Sequence, residues 1–184
     1  MFNFSKAKFP VFDLGNAIMR KIIPIQDTEN YFLYMNHPEV SAYIAQGNCP
    51  HSLEDAKQDL EFWSSLFGTR RGFYWALAEK GNNTIIGSVG FNILFLSQRK
   101  GELSFDLDRS YWGAGIMTKA LKEIISFSKN TLGLVRLQAT SVTTNINSIR
   151  LLTRCGFIKE GKLQKYEFLH GKHVDSYMYA KILA

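Results

Sequence analysis

The 184 residues are 46% apolar and 14% aromatic, enough to bury one core, and one domain spanning residues 1–184 is expected. No run reaches the roughly 18 apolar residues of a membrane span, and the opening MFNFSKAKFPVF, broken by Ser5, Lys6, Lys8 and Pro10, does not read as a signal peptide; a cytoplasmic address follows. The net charge is +6, with a pI near 9.3, and it is scattered over 22 Lys and Arg without a basic block, so it suits an anionic cofactor as well as nucleic acid.

The first clear strand is read over Ala17 to Ile23. Asp27 is expected to cap a helix near Thr28 to Asn36, and Pro38 breaks it before a second short helical piece toward Ala45. Ser52, with Asp55 three residues on, resembles a weak capping box, and Leu53, Ala56, Leu60, Trp63 and Phe67 keep one helical face as far as Gly68. Three β-rich runs follow, about Phe73 to Glu79, Thr84 to Asn92 and Glu102 to Asp108, the first two joined at Gly81-Asn82-Asn83. An antiparallel meander is expected. From Ile116 on, Ala120, Leu121, Ile124, Ile125 and Ser128 recur at steps of three and four, so a helix starts close to Gly115. A strand over Leu134 to Val142 leads to a helix over Asn145 to Cys155, ended by Gly156, and two strands joined at His170-Gly171 close the chain. The predicted class is α+β with a mixed, largely antiparallel sheet flanked by helices.

The stretch YWGAGIMTKAL carries the first chemical signal. A helix N-terminus exposes unpaired N–H groups and about half a positive charge, so a glycine turn leading into one can cradle phosphate oxygens. A Walker loop is excluded, because Thr118 precedes Lys119 with no second glycine in register. A dinucleotide fingerprint is excluded too, because no Asp or Glu lies between Glu123 and Glu160 to hold a ribose.

A third family fits. GELSFDLDRSYWGAGIMTKAL, Gly101 to Leu121, resembles the pattern A-E-x-G-Y-x-L-x-x-x-Y-W-G-x-G-x-A-T-x-A-L of the GNAT superfamily of N-acetyltransferases, in its ribosomal-protein N-terminal acetyltransferase branch. NINSIRLLTRCGF, Asn145 to Phe157, resembles that branch's N-x-x-S-x-x-x-L-x-x-x-G-F, and Glu160-Gly161 and Gly171 with Asp175 continue the likeness. The resemblance implies the GNAT fold and transfer of acetyl from acetyl-CoA to a primary amine, either a protein N-terminus such as that of a ribosomal protein or a small amine such as a polyamine or an antibiotic. A silent acyl-CoA sensor is the other reading, a nucleic-acid module is disfavoured, and a homodimer is allowed.

By the same resemblance, the diphosphate sits on the backbone of Trp112, Gly113, Ala114, Gly115, Ile116 and Met117, with the Thr118 hydroxyl as a further donor. The pantetheine arm pairs with backbone at Phe105 and Leu107 and is held from the other side by Asn145, which equally fits a helix N-cap. Glu102, on one strand face with Ser104 and Asp106, is the expected base, and Ser148 the expected proton donor to the leaving thiolate, since Leu152 stands where many GNAT enzymes have tyrosine. Met117, Ser104 and Phe105 depart from the pattern, Met117 with the risk of crowding the cofactor. Cys155 is read as core rather than as an acyl carrier, and Cys49 and Cys155 as reduced. No metal is expected: His37, His51, His170 and His173 include one H-x-x-H pair, which straddles a turn.

Overall fold

The computed structural model describes residues 7–45, 47–69 and 71–183. Ser5 and Lys6, which enter the reading of the first segment, lie outside the described residues. A two-residue strand, Phe12–Asp13 (β1), pairs antiparallel with Ala17–Lys21 (β2). The first helix, Pro24–Met35 (α1), begins earlier than the expected cap at Asp27. Pro24 takes its first position, where a missing N–H costs nothing and φ is preset. Asp27 lies inside the first turn instead: its fully buried carboxylate accepts from the Ile23 N–H at 2.8 Å and from Arg20 at 2.8 and 2.7 Å.

Pro38–Ser41 (α2) is one turn, and Leu53–Gly68 (α3) is capped as expected, the Ser52 hydroxyl accepting from the Asp55 N–H at 3.1 Å. The meander is present as Tyr74–Glu79 (β3), Ile85–Phe95 (β4) and Lys100–Leu107 (β5), with β4 running past Asn92 through an irregularity between Phe91 and Ile93. A 3₁₀ turn at Arg109–Tyr111 leads to Ile116–Asn130 (α4), then Arg136–Val142 (β6) and Ile146–Arg154 (α5). Ile158–Leu169 (β7) and Lys172–Ile182 (β8) form the last hairpin, with His170 and Gly171 at φ 46° and 75° in its turn. Among the described residues no helix is long and apolar enough to cross a membrane.

The sheet order is β1-β2-β3-β4-β5-β6-β8-β7. Every neighbouring pair is antiparallel except β5 and β6, which are parallel and joined only where Lys100 to Glu102 meet Arg136 to Gln138. Past Glu102 the two strands part, β5 held by β4 and β6 by β8. One apolar cluster, around Phe73, Trp75, Leu121 and Ile124, lies beneath α4; another, around Tyr31, Tyr34, Leu60 and Tyr74, lies beneath α1 and α3. The fork therefore opens in the middle of the sheet between two packed layers.

Candidate active site

A cavity of about 730 Å³ fills the fork. Its wall takes in the open edge of β5 from Leu103 to Leu107, the end of β6 from Thr140 to Val142, the front of α4, the start of α5, and side chains of α2 and α3. An unpaired strand edge presents N–H and C=O groups in a row, which is what an amide-bearing chain needs to add itself to a sheet.

At one end stands the glycine turn. Gly113 and Gly115 adopt φ 79° and 75°, and a Cβ added to either would meet nothing within 4 Å. Conformation, not space, demands glycine here. Gly115 caps α4 without a side chain, and the first closing bond of the helix runs from the Lys119 N–H to the Gly115 carbonyl at 3.1 Å, so the N–H groups of Ile116, Met117 and Thr118 precede the intrahelical ladder. Gly113, Gly115, Ile116, Met117 and Thr118 all line the cavity. Two expected donors are engaged elsewhere: the Trp112 N–H donates to the Arg109 carbonyl at 3.2 Å and the Ala114 N–H to the Tyr111 carbonyl at 3.4 Å. Met117 packs with the core cluster under α4 at 6% exposure while also lining the cavity. The turn thus fits a diphosphate, with the charge of the helix end behind it.

Trp112 ties this turn to the strand. Its indole Nε1–H donates to the Leu107 carbonyl at 2.8 Å, which occupies one of the two groups Leu107 offers, and Arg109 lies over its ring while bonding Glu39 of α2 at 2.7 Å. Phe105 lines the cavity on the same open edge. Asn145 caps α5, its Oδ1 accepting from the Ser148 N–H at 3.1 Å, and the residue also lines the cavity beside Ser148.

The carboxylates are arranged differently from expectation. Glu102 accepts from Gln138 Nε2 at 2.8 Å across the last rung of the β5–β6 pairing, and the described cavity wall begins one residue beyond it. Glu167 of β7 does line the cavity. Burial and then the charge of Glu102 hold its carboxyl above the ordinary value. No motif marks it, and β7 shifts register between Leu163 and Glu167, so strict alternation cannot place it. Asp106 also lines the cavity, its Oδ1 accepting from Tyr34 OH at 2.7 Å and the Ser88 N–H at 2.9 Å, and its Oδ2 from Ser88 Oγ at 2.6 Å. Burial outweighs these bonds and raises its pKa to about 6. Ser104 bonds the Tyr74 hydroxyl, and Trp63 stacks on the Tyr74 ring with centroids 4.4 Å apart.

Comparison with known proteins agrees with this geometry. The family model described as an acetyltransferase (GNAT) domain matches residues 17–158. The chain is 30% identical over 172 residues to the uncharacterized N-acetyltransferase YoaA of Bacillus subtilis (strain 168), covering 94% of this chain and 96% of that one. It is 32% identical over 132 residues to the ribosomal-protein-serine acetyltransferase of Escherichia coli (strain K12), covering 72% and 73%. Among solved structures, the ribosomal-protein-S5-alanine acetyltransferase of Vibrio fischeri superposes with a TM-score of 0.83 at 27% identity, covering 94% of this chain and 96% of that one.

Proposed function

The chain belongs to the GNAT family of acetyltransferases, an acetyl-CoA-dependent N-acetyltransferase, and from that premise we propose that its acceptor is the α-amine of a protein N-terminus, as in its relatives that act on ribosomal proteins. One observation carries the reading: the described residues that line the cavity include no His or Lys, and of its raised carboxylates Asp59 and Asp106 are engaged by Tyr31, Tyr34 and Ser88, which leaves Glu167 as the weak base at hand. An α-amine has a pKa near 8 and a lysine near 10.4, so freeing the nucleophile at pH 7 costs about 1.4 kcal/mol for the first and about 4.6 kcal/mol for the second. A carboxylate that accepts a proton directly or through one water suffices for the α-amine.

Acetyl-CoA supplies the activated acyl group. The chain's own residues hold and orient it: Gly113 and Gly115 through Thr118 at the diphosphate, the open β5 edge at Phe105 and the Leu107 N–H along the arm, and Asn145 from α5. Glu167 receives the proton of the attacking amine, and Glu102, one layer behind, acts on it as a fixed like charge. Ser148, at the front of α5 beside Asn145, gives a hydroxyl proton toward the departing thiolate. Backbone N–H groups on the open edge of β5 stabilise the developing oxyanion, as fixed dipoles do at little reorganisation cost.

The test is thiol release from acetyl-CoA with hexapeptides bearing free Ser or Ala N-termini, compared with spermidine and aminoglycosides. Turnover confined to the peptides is expected; turnover confined to the small amines would replace the acceptor assignment and leave the family unchanged.

A further inference from the structure

Asp106 occupies the position that the family pattern leaves open, between Phe105 and Leu107, and nothing in the acetyl transfer above uses it. Among the described residues three donors reach it, one tyrosine hydroxyl and the N–H and hydroxyl of Ser88, and all are neutral. No described cation pairs with it. A carboxylate offers about four acceptor sites, so Oδ2, with one bond, has capacity for another donor, and the residue lines the cavity. A half-buried charge on a cavity wall without a counter-charge is costly to keep, and a ligand cation is the partner that would offset it. The surrounding titratable groups do not supply one. Tyr34 and Tyr31 of α1 and Tyr74 of β3 are held protonated by burial, Asp59 of α3 bonds Tyr31, and Glu39 of α2 and Glu167 of β7 stand elsewhere on the cavity wall. The cavity's described cations, Arg150 and Arg154, belong to α5, across the fork from β5. Trp63, Tyr43 and Phe62 add aromatic rings to the cavity lining, and aromatic rings attract cations.

We propose that Asp106 selects acceptors carrying a second cation besides the reacting amine. Glu102, whose charge acts on Glu167, and Asp106 lie four residues apart on one strand, about 13 Å at 3.3 Å per residue. A lysine or arginine at the second or third residue of an N-terminal peptide spans that distance. The inference rests on the peptide reading of the acceptor.

The experiment measures kcat/KM for Ser-initiated hexapeptides with lysine at position two or three against counterparts with norleucine there, for the wild type and Asp106→Asn, from pH 5 to 8. The wild type should favour lysine at least tenfold at pH 7.5, with the preference shrinking toward pH 5 as the carboxyl takes its proton. Asp106→Asn should show a ratio near one at every pH. Calorimetry with acetyl-CoA and the melting temperature establish that the variant is folded, and the ratio between two peptides does not respond to a general loss of structure. A wild-type ratio near one, or a ratio that survives in Asp106→Asn, overturns the proposal. If the wild type binds acetyl-CoA but turns over none of the peptides, the acceptor reading itself fails and takes this inference with it.

Discussion

Glu102 and Glu167 illustrate how two carboxylates of one type receive different work from their surroundings. Glu102 is fixed by Gln138, which Arg136 in turn engages through Nε at 3.1 Å, while the Arg136 guanidinium grips Glu160 at 2.8 and 2.6 Å. Glu167 has the cavity in front of it and the charge of Glu102 behind. The sign of the coupling follows: a like charge makes ionisation of Glu167 harder, so removing it makes ionisation easier. Glu102→Gln should therefore keep turnover and shift the acidic limb of the kcat/KM profile to lower pH. Glu167→Gln should lower kcat by roughly 10²- to 10⁴-fold, the usual worth of a positioned base. A Glu102→Gln variant that loses activity to the same degree would return the base to Glu102. Sequence made Glu102 visible because it sits inside a long motif. Glu167 stayed hidden because its strand breaks period two before reaching it.

Elements with strong local chemistry are the ones read correctly. Ser52 announces α3, the stripe from Ile116 to Ser128 announces α4, and Asn145 announces α5, each through a cap or a buried face that needs no distant partner. The start of α1 was misplaced because Asp27 looks like a cap in sequence, while its partner Arg20 lies on another element and draws it into the first turn. The front of α4 allows a direct test of the cradle. Gly115→Ala adds a methyl that meets no atom within 4 Å, so it should cost about 1–2 kcal/mol of stability from its left-handed backbone and retain acetyl-CoA binding. Gly115→Glu adds the same strain plus bulk and a negative charge beside the expected diphosphate. Calorimetry should detect no acetyl-CoA binding by that variant; wild-type affinity in folded Gly115→Glu protein would place the diphosphate elsewhere.

On the scale of the molecule, the site exists because one pair of strands in an eight-stranded sheet is joined for three residues and then parts. That fork was not legible from sequence, since strand pairing is a matter of distant register; only the order of elements and the resemblance of the two motifs implied it. The same opening leaves Asp106 half-buried on the cavity wall without a cation among the described residues, which sets a stability cost that should be measurable. Its pKa rises from 3.8 to about 6 on folding, so the folded state binds a proton more readily than the unfolded chain between those values. Stability from this group therefore increases as pH falls through about 6 and levels off below about 4, opposite in sign to Asp13, Glu160 and Asp175, whose lowered pKa values lose stability on acidification. The shift corresponds to about 3 kcal/mol at 1.36 kcal/mol per pH unit. In Asp106→Asn the amide oxygen can still accept from Tyr34 and the Ser88 N–H, and the Ser88 hydroxyl can turn to accept from the new amide, so little bonding is lost. Urea unfolding of the two proteins, compared at equal pH so that the other carboxylates cancel, should find the variant more stable by about 1–3 kcal/mol at pH 8 and about equal at pH 4. A variant less stable by the same amount at both pH values would show that Asp106 serves packing alone and carries no stored electrostatic cost.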